Sequence, residues 1–146
     1  MSVKDYIEKN KEKFLSELFQ LLKIQSVSAD SKFKEEVDKA ANWLVGEFNK
    51  LELDNVEKIQ TKGHPIVYAE KILDKTFPTI LVYGHYDVQP ADPYELWDSP
   101  PFEPTIKNGK IYARGACDDK GQMYMHLKAY ETLKNVENIN FNIKFM

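Results

Sequence analysis

Two short stretches hold the side chains best suited to chemistry: "GHYDVQP", with His85 and Asp87 two positions apart, and "ARGACDDKG", with Asp118 and Asp119 adjacent. Residues two apart on an extended strand face the same way, so His85 and Asp87 point together at the carboxyl end of the strand "TILVYG". In open α/β sheets that end is where ligands usually sit. An imidazole there can ligate a metal through one ring nitrogen while a neighbouring carboxylate holds the other. The pattern is short, and a His and an Asp can equally cap a strand end through backbone hydrogen bonds.

Asp118 and Asp119 fall where a strand gives way to a helix, between Gly115 and Gly121. Adjacent carboxylates repel and resist desolvation unless a cation offsets them. A helix N-terminus also favours Asp by capping and by the helix dipole, which needs no ligand. No glycine-rich loop with Lys-Ser/Thr precedes this helix, so a phosphate-binding loop is excluded. Taken together, the two clusters bring an imidazole and a carboxylate toward one edge of a sheet, a plausible half of a zinc site. Catalytic zinc takes about three protein ligands plus water, more than these two residues supply.

Other reactive side chains read as structural. Cys117 lies beside Asp118 without an evident base and reads as small core filler; His64 sits in a Gly-His-Pro turn and His126 beside the apolar face of a helix. Trp97, Pro100, Pro101 and Phe102 read as a loop packing its aromatics onto the domain, or as a pocket wall. Arg114 can bind an anion or tie down the neighbouring loop.

The elements that must position these residues follow from periodicity. Phe14, Leu15, Leu18, Leu21 and Leu22 predict an amphipathic helix over roughly residues 3–23. The polar run "IQSVSADS" interrupts it, with Ser31 expected to cap the next helix, whose stripe is Phe33, Val37, Ala40, Ala41, Leu44, Phe48 and Leu51. The Lys and Glu of the opposite face read as solvated surface. Beyond Leu53, "VEKIQT", "PIVYAEK" and "TILVYGH" predict short strands. Asn108-Gly109 predicts a tight hairpin turn between Thr105–Lys107 and Lys110–Ala113. A third helix is expected after Asp118, with Met123, Leu127, Tyr130 and Leu133 on one face, and a final strand in "INFNIKFM". Helices interspersed with strands imply an α/β layer architecture with a partly parallel sheet.

The chain has 146 residues, a net charge of -3, 42% hydrophobic and 29% charged residues, which fits one ordinary globular domain. No basic stripe suggests nucleic acid or an anionic membrane as partner, and no segment is long enough to span a bilayer. With one cysteine and no signal-like N-terminus, a cytoplasmic location is expected.

"GHYDVQP", "WDSPPFEP" and "NGKIYARGACDDKG" in this order resemble the beginning of the catalytic domain in the zinc-dependent aminoacylase, carboxypeptidase and dipeptidase superfamily. The similarity is greatest to carnosine-type dipeptidases and covers nearly the whole chain. It implies that His85 is a ligand of one zinc, that Asp118 bridges two zincs, and that Asp87 is the catalytic Asp that orients the base and supports the metal-bound water. Asp119 occupies a position that varies in the family, and the Asp118–Asp119 peptide is often cis. The implied reaction is metal-assisted hydrolysis of a small peptide or N-acyl amide, with a Glu as general base. The strand "FNIKFM" would immediately precede that Glu. The expectation is therefore a single partial catalytic domain over residues 1–146, an incomplete helix-flanked mixed sheet that is inactive by itself. A stand-alone non-catalytic module that binds metal weakly or self-associates through an exposed sheet edge is the alternative.

Overall fold

Ser2 opens the chain's first helix with a capping box, accepting from the Asp5 backbone N–H while Asp5 accepts from that of Ser2. A computed structural model describes residues 1–146. Helix α1 runs over Val3–Lys23 and buries Leu21 and Leu22 at its last turn. A single 3₁₀ turn at Ser31–Phe33 follows, and its N-cap is Asp30, whose side chain accepts from Lys32 N. Ser31 is therefore inside the turn rather than capping it. Helix α2, Lys34–Lys50, buries Val37, Ala40, Ala41, Leu44 and Phe48 as its periodicity predicts.

Strands β1 (Asp54–Ile59), β2 (Ile66–Lys71), β3 (Thr79–Val82) and β6 (Asn142–Phe145) form one mixed sheet in the order β1-β2-β6-β3. The β1–β2 and β2–β6 pairs are antiparallel, whereas β3 and β6 are parallel, with Ile80 opposite Ile143 and Val82 opposite Phe145. The parallel pair needs a crossover, and helix α3, Lys120–Val136, supplies it. Between β3 and α3 lies a separate hairpin, β4 (Thr105–Lys107) and β5 (Lys110–Tyr112). Asn108 and Gly109 both have positive φ, 53° and 72°, as a primed two-residue turn requires. The strand before Asp118 thus belongs to this hairpin and not to the main sheet. The mixed α/β architecture expected from the sequence is observed.

The core lies between one face of the main sheet and helices α2 and α3, where Val67, Ala69, Ile143 and Phe145 meet Leu44, Phe48, Leu127 and Tyr130. A second small cluster, Val27, Val88, Ala91 and Phe102, fastens the long loops beside the sheet. Trp97 packs on that cluster and donates Nε1–H to Ala91 O, so the aromatics of this loop are packing groups. The Arg114 guanidinium stacks over the Trp97 ring. Asn142 departs from the alternation expected of its strand. It is 3% exposed, accepts from the backbone N–H groups of Leu73 and Asp74, and donates to the carbonyls of Asp74 and Phe77. It anchors the turn that leads into β3.

Candidate metal centre

The carboxyl end of β3 and the start of α3 meet at Gly84. A Cβ there would lie 3.0 Å from Asp119 Oδ2 and from two side-chain carbons of Met123, so glycine is what permits the approach. Gly121 does the same on the other side, since a Cβ would sit 2.0 Å from Ala116 O. Strand β3 ends at Val82, and His85 and Asp87 lie in the segment that continues from it. The His85 backbone N–H donates to Asp119 Oδ2 at 3.0 Å, and the Asp118–Asp119 peptide bond is cis. Asp119 therefore holds the main chain at His85.

The side chains of His85, Asp87 and Asp118 are brought together. His85 Nε2 is 3.0 Å from Asp118 Oδ1, while Nδ1 is 3.1 Å from both the carbonyl and the Oδ1 of Asp87. Asp118 is 85% exposed and His85 43%, so the pair opens to solvent on the Nε2 side. Burial opposes charge on the ring, but the bonds to Asp118 and Asp87 outweigh it and hold the His85 pKa above its ordinary value. Two zinc ligands with bonds of ~2.0–2.2 Å at a tetrahedral angle lie roughly 3.3–3.6 Å apart. The His85–Asp118 separation of 3.0 Å is that of a hydrogen bond, a few tenths of an ångström short of such a pair. No three His, Cys, Asp or Glu side chains are clustered to enclose a metal ion, and His85 and Asp118 stand as a pair.

The corner is braced from the loop after α1. Val27 bridges Val88 in parallel, Val88 N–H donates to Ser26 O at 2.9 Å, and Ser26 Oγ donates to Tyr86 O at 2.7 Å. Ser28 Oγ donates to Asp87 Oδ2, and His64 Nε2 lies 3.1 Å from Ser28 O. Lys120, wholly buried beside Asp119, donates to Leu21 O and Ile24 O at 3.1 and 2.6 Å, satisfying carbonyls at the end of α1. Burial pushes its pKa down to about 7 against the opposing pull of Glu36 and Asp87. Sequence reasoning singled out Asp119 beside Asp118 without a role at His85, and missed Ser28 and Lys120 as parts of the centre. Cys117, expected to fill core, is exposed. His126 is exposed on α3. A cavity of about 380 Å³, walled largely by apolar side chains such as Val82, Met123, Leu127 and Phe145, opens beside His85 and Asp87.

Comparison with known proteins points to one family of peptidases. Residues 81–146 match Peptidase family M20/M25/M40. The chain is 34% identical to the Cys-Gly metallodipeptidase dug1 of Schizosaccharomyces pombe, over 97% of this chain and 32% of that relative. It superposes on human carnosine dipeptidase 1 with a TM-score of 0.89 at 29% identity, covering 98% of this chain and 33% of the other. The M20 metallo-carboxypeptidase Sso-CP2 of Sulfolobus solfataricus gives a TM-score of 0.82 at 41% identity, covering 90% and 29%. The chain spans about a third of the length of these relatives. Residues 81–146 thus carry the pattern of the M20/M25/M40 peptidase family, and the chain as a whole shares sequence and fold with members of that family.

Proposed function

We propose that this chain carries part of the active centre of a zinc-dependent dipeptidase, with His85 and Asp118 as metal ligands and Asp87 as the catalytic Asp that orients His85. The observation that carries this reading is the 3.0 Å approach of His85 Nε2 to Asp118 Oδ1 on the solvent side of a ring whose Nδ1 is already engaged. When bound, the metal supplies Lewis-acid polarisation of an amide carbonyl and acidifies water. His85 offers the Nε2 lone pair to it, and Asp87 fixes the ring. Asp118 provides the anionic oxygen that offsets the cation's charge. Asp119 keeps the main chain of His85 in place, and an apolar-walled cavity lies beside the centre.

The substrate in this reading is a small peptide, in keeping with relatives named Cys-Gly and Beta-Ala-His dipeptidases. A complete centre in this reading holds two zinc ions, and the protein acts in the cytoplasm. No helix is long and apolar enough to cross a membrane. Two donors are too few for a catalytic zinc, so this chain by itself is expected to hydrolyse dipeptides in excess zinc no faster than its His85→Ala variant. A metal-dependent rate that His85→Ala abolishes would overturn that expectation. The ligand assignment is tested by zinc competition against a chromophoric chelator. His85→Ala and Asp118→Ala are each expected to lose measurable binding, and retention of wild-type affinity in either refutes it.

A further inference from the structure

Ser28 lies in the loop between α1 and α2, far from the two signature segments in sequence, yet it touches the centre. Its hydroxyl donates to Asp87 Oδ2, leaving Asp87 Oδ1 for His85 Nδ1. Each carboxylate oxygen thus has its own partner, and the plane of the carboxylate is fixed by both. Ser28 is itself held in place: the Val27–Val88 bridge and the Ser26 contacts to Tyr86 and Val88 fix the backbone before it, and His64 Nε2 meets its carbonyl. The ring of His85 then has two acceptors at Nδ1, the carbonyl and the carboxylate of Asp87, against one at Nε2, from a largely exposed Asp118. In the neutral ring, two fixed acceptors at Nδ1 against one exposed acceptor at Nε2 favour the single proton at Nδ1, and the exposed Asp118 carboxylate, which repels an Nε2 lone pair, is then free to swing aside or to meet it across a cation.

We propose that Ser28 is a positioning residue of this centre: by clamping the Asp87 carboxylate it holds His85 in the Nδ1–H tautomer, with Nε2 presented for metal. The proposal rests on the reading of His85 and Asp118 as ligands, and adds a residue from outside both signature segments. Outer partners of metal-bound histidines fix tautomer and ring orientation, and their loss typically weakens metal binding by ten- to a hundredfold. Ser28 acts one bond further out, so a loss of about tenfold is expected.

The test compares the chain with Ser28→Ala and Ser28→Thr variants. The first readout is the long-range ¹H–¹⁵N spectrum of the metal-free chain, at a pH where the His85 ring is neutral; the second is zinc affinity by chelator competition. The chain is expected to show the Nδ1–H signature for His85. Ser28→Ala is expected to give a mixture of tautomers and about tenfold weaker zinc binding, and Ser28→Thr, which keeps the hydroxyl, to restore both. An unchanged tautomer in Ser28→Ala overturns the proposal, as does a Ser28→Thr variant that behaves like Ser28→Ala. Should Ser28→Ala fail to fold, Ser28→Cys is read instead: its weaker donor must shift the tautomer population, and an unshifted spectrum overturns the claim. If the unaltered chain binds no zinc, the ligand assignment fails, while the metal-free tautomer spectrum still decides the role of Ser28.

Discussion

His85 is surrounded by three aspartates that do three different things. Asp118 faces Nε2 from the solvent side, Asp87 faces Nδ1, and Asp119 ignores the ring and takes the backbone N–H. Removing the Asp119 carboxylate strands that N–H, which costs about 1–2 kcal/mol when it is not rehydrated. Asp119→Ala is therefore expected to lower the urea midpoint by that amount and Asp119→Asn, which keeps an acceptor oxygen, by much less. Equal losses in the two variants would contradict the assignment. Two-residue periodicity and a strand-to-helix junction drew attention to His85, Asp87, Asp118 and Asp119, and the resemblance of the two signature segments supplied the expected roles of the first three. The contact of Asp119 with the His85 main chain, and the parts of Ser28 and Lys120, were not legible. Their partners lie 34, 59 and up to 99 residues away, and only the closed fold brings them together.

The three helices are joined by charge as well as by apolar packing. Lys128 on α3 lies 2.6 Å from Glu17 of α1, 3.4 Å from Glu47 of α2 and 2.7 Å from Glu131 of its own helix, and Lys13 and Lys50 close the network from outside. Tyr124 donates its hydroxyl to Glu17, and burial with that contact pushes its pKa far up. Removing Lys128 would leave the three carboxylates with only the half-exposed Lys13 and Lys50 to offset them, so Lys128→Met is expected to destabilise the chain by about 3 kcal/mol in chemical denaturation. A loss below about 1 kcal/mol, the value of an exposed ion pair, would contradict a buried clamp. Burial alone would raise the pKa of Glu131, yet the bonds from Lys128 and Lys13 hold it below the ordinary value. The folded state therefore binds the Glu131 proton less readily than the unfolded chain. The resulting stabilisation is present above the ordinary carboxylate range and is lost as pH falls through the folded value. Glu131→Gln is expected to flatten the acid limb of the stability profile, and an unchanged limb would contradict it. The apolar stripes of α2 and α3 were legible from their period. The clamp was not, because Glu47, 2% exposed, sits among Lys and Glu residues that read as solvated surface.

Across the whole molecule, the main sheet is covered unevenly. Strand β3 is an edge strand, and Ile80, Leu81 and Tyr83 are 45%, 58% and 73% exposed along it. An apolar edge with unpaired backbone groups is a template for another strand, and two copies are proposed to pair through β3. Leu81→Lys is expected to move a concentration-dependent sedimentation profile toward monomer; a profile unaffected by the change would contradict pairing there. Fold class and family were legible in the sequence because the strand and helix signals alternate and the two signature segments keep their order. The hairpin's separation from the main sheet was not, since hydrophobic pattern specifies a strand and not its neighbour. The claim on which the rest depends is that one cation is shared by His85 and Asp118. It is tested most directly by anomalous scattering at the zinc edge from zinc-soaked crystals of the chain. A peak is expected within bonding distance of His85 Nε2 and an Asp118 carboxylate oxygen. Fully ordered His85 and Asp118 side chains with no peak between them, or a zinc bound only elsewhere, would contradict it.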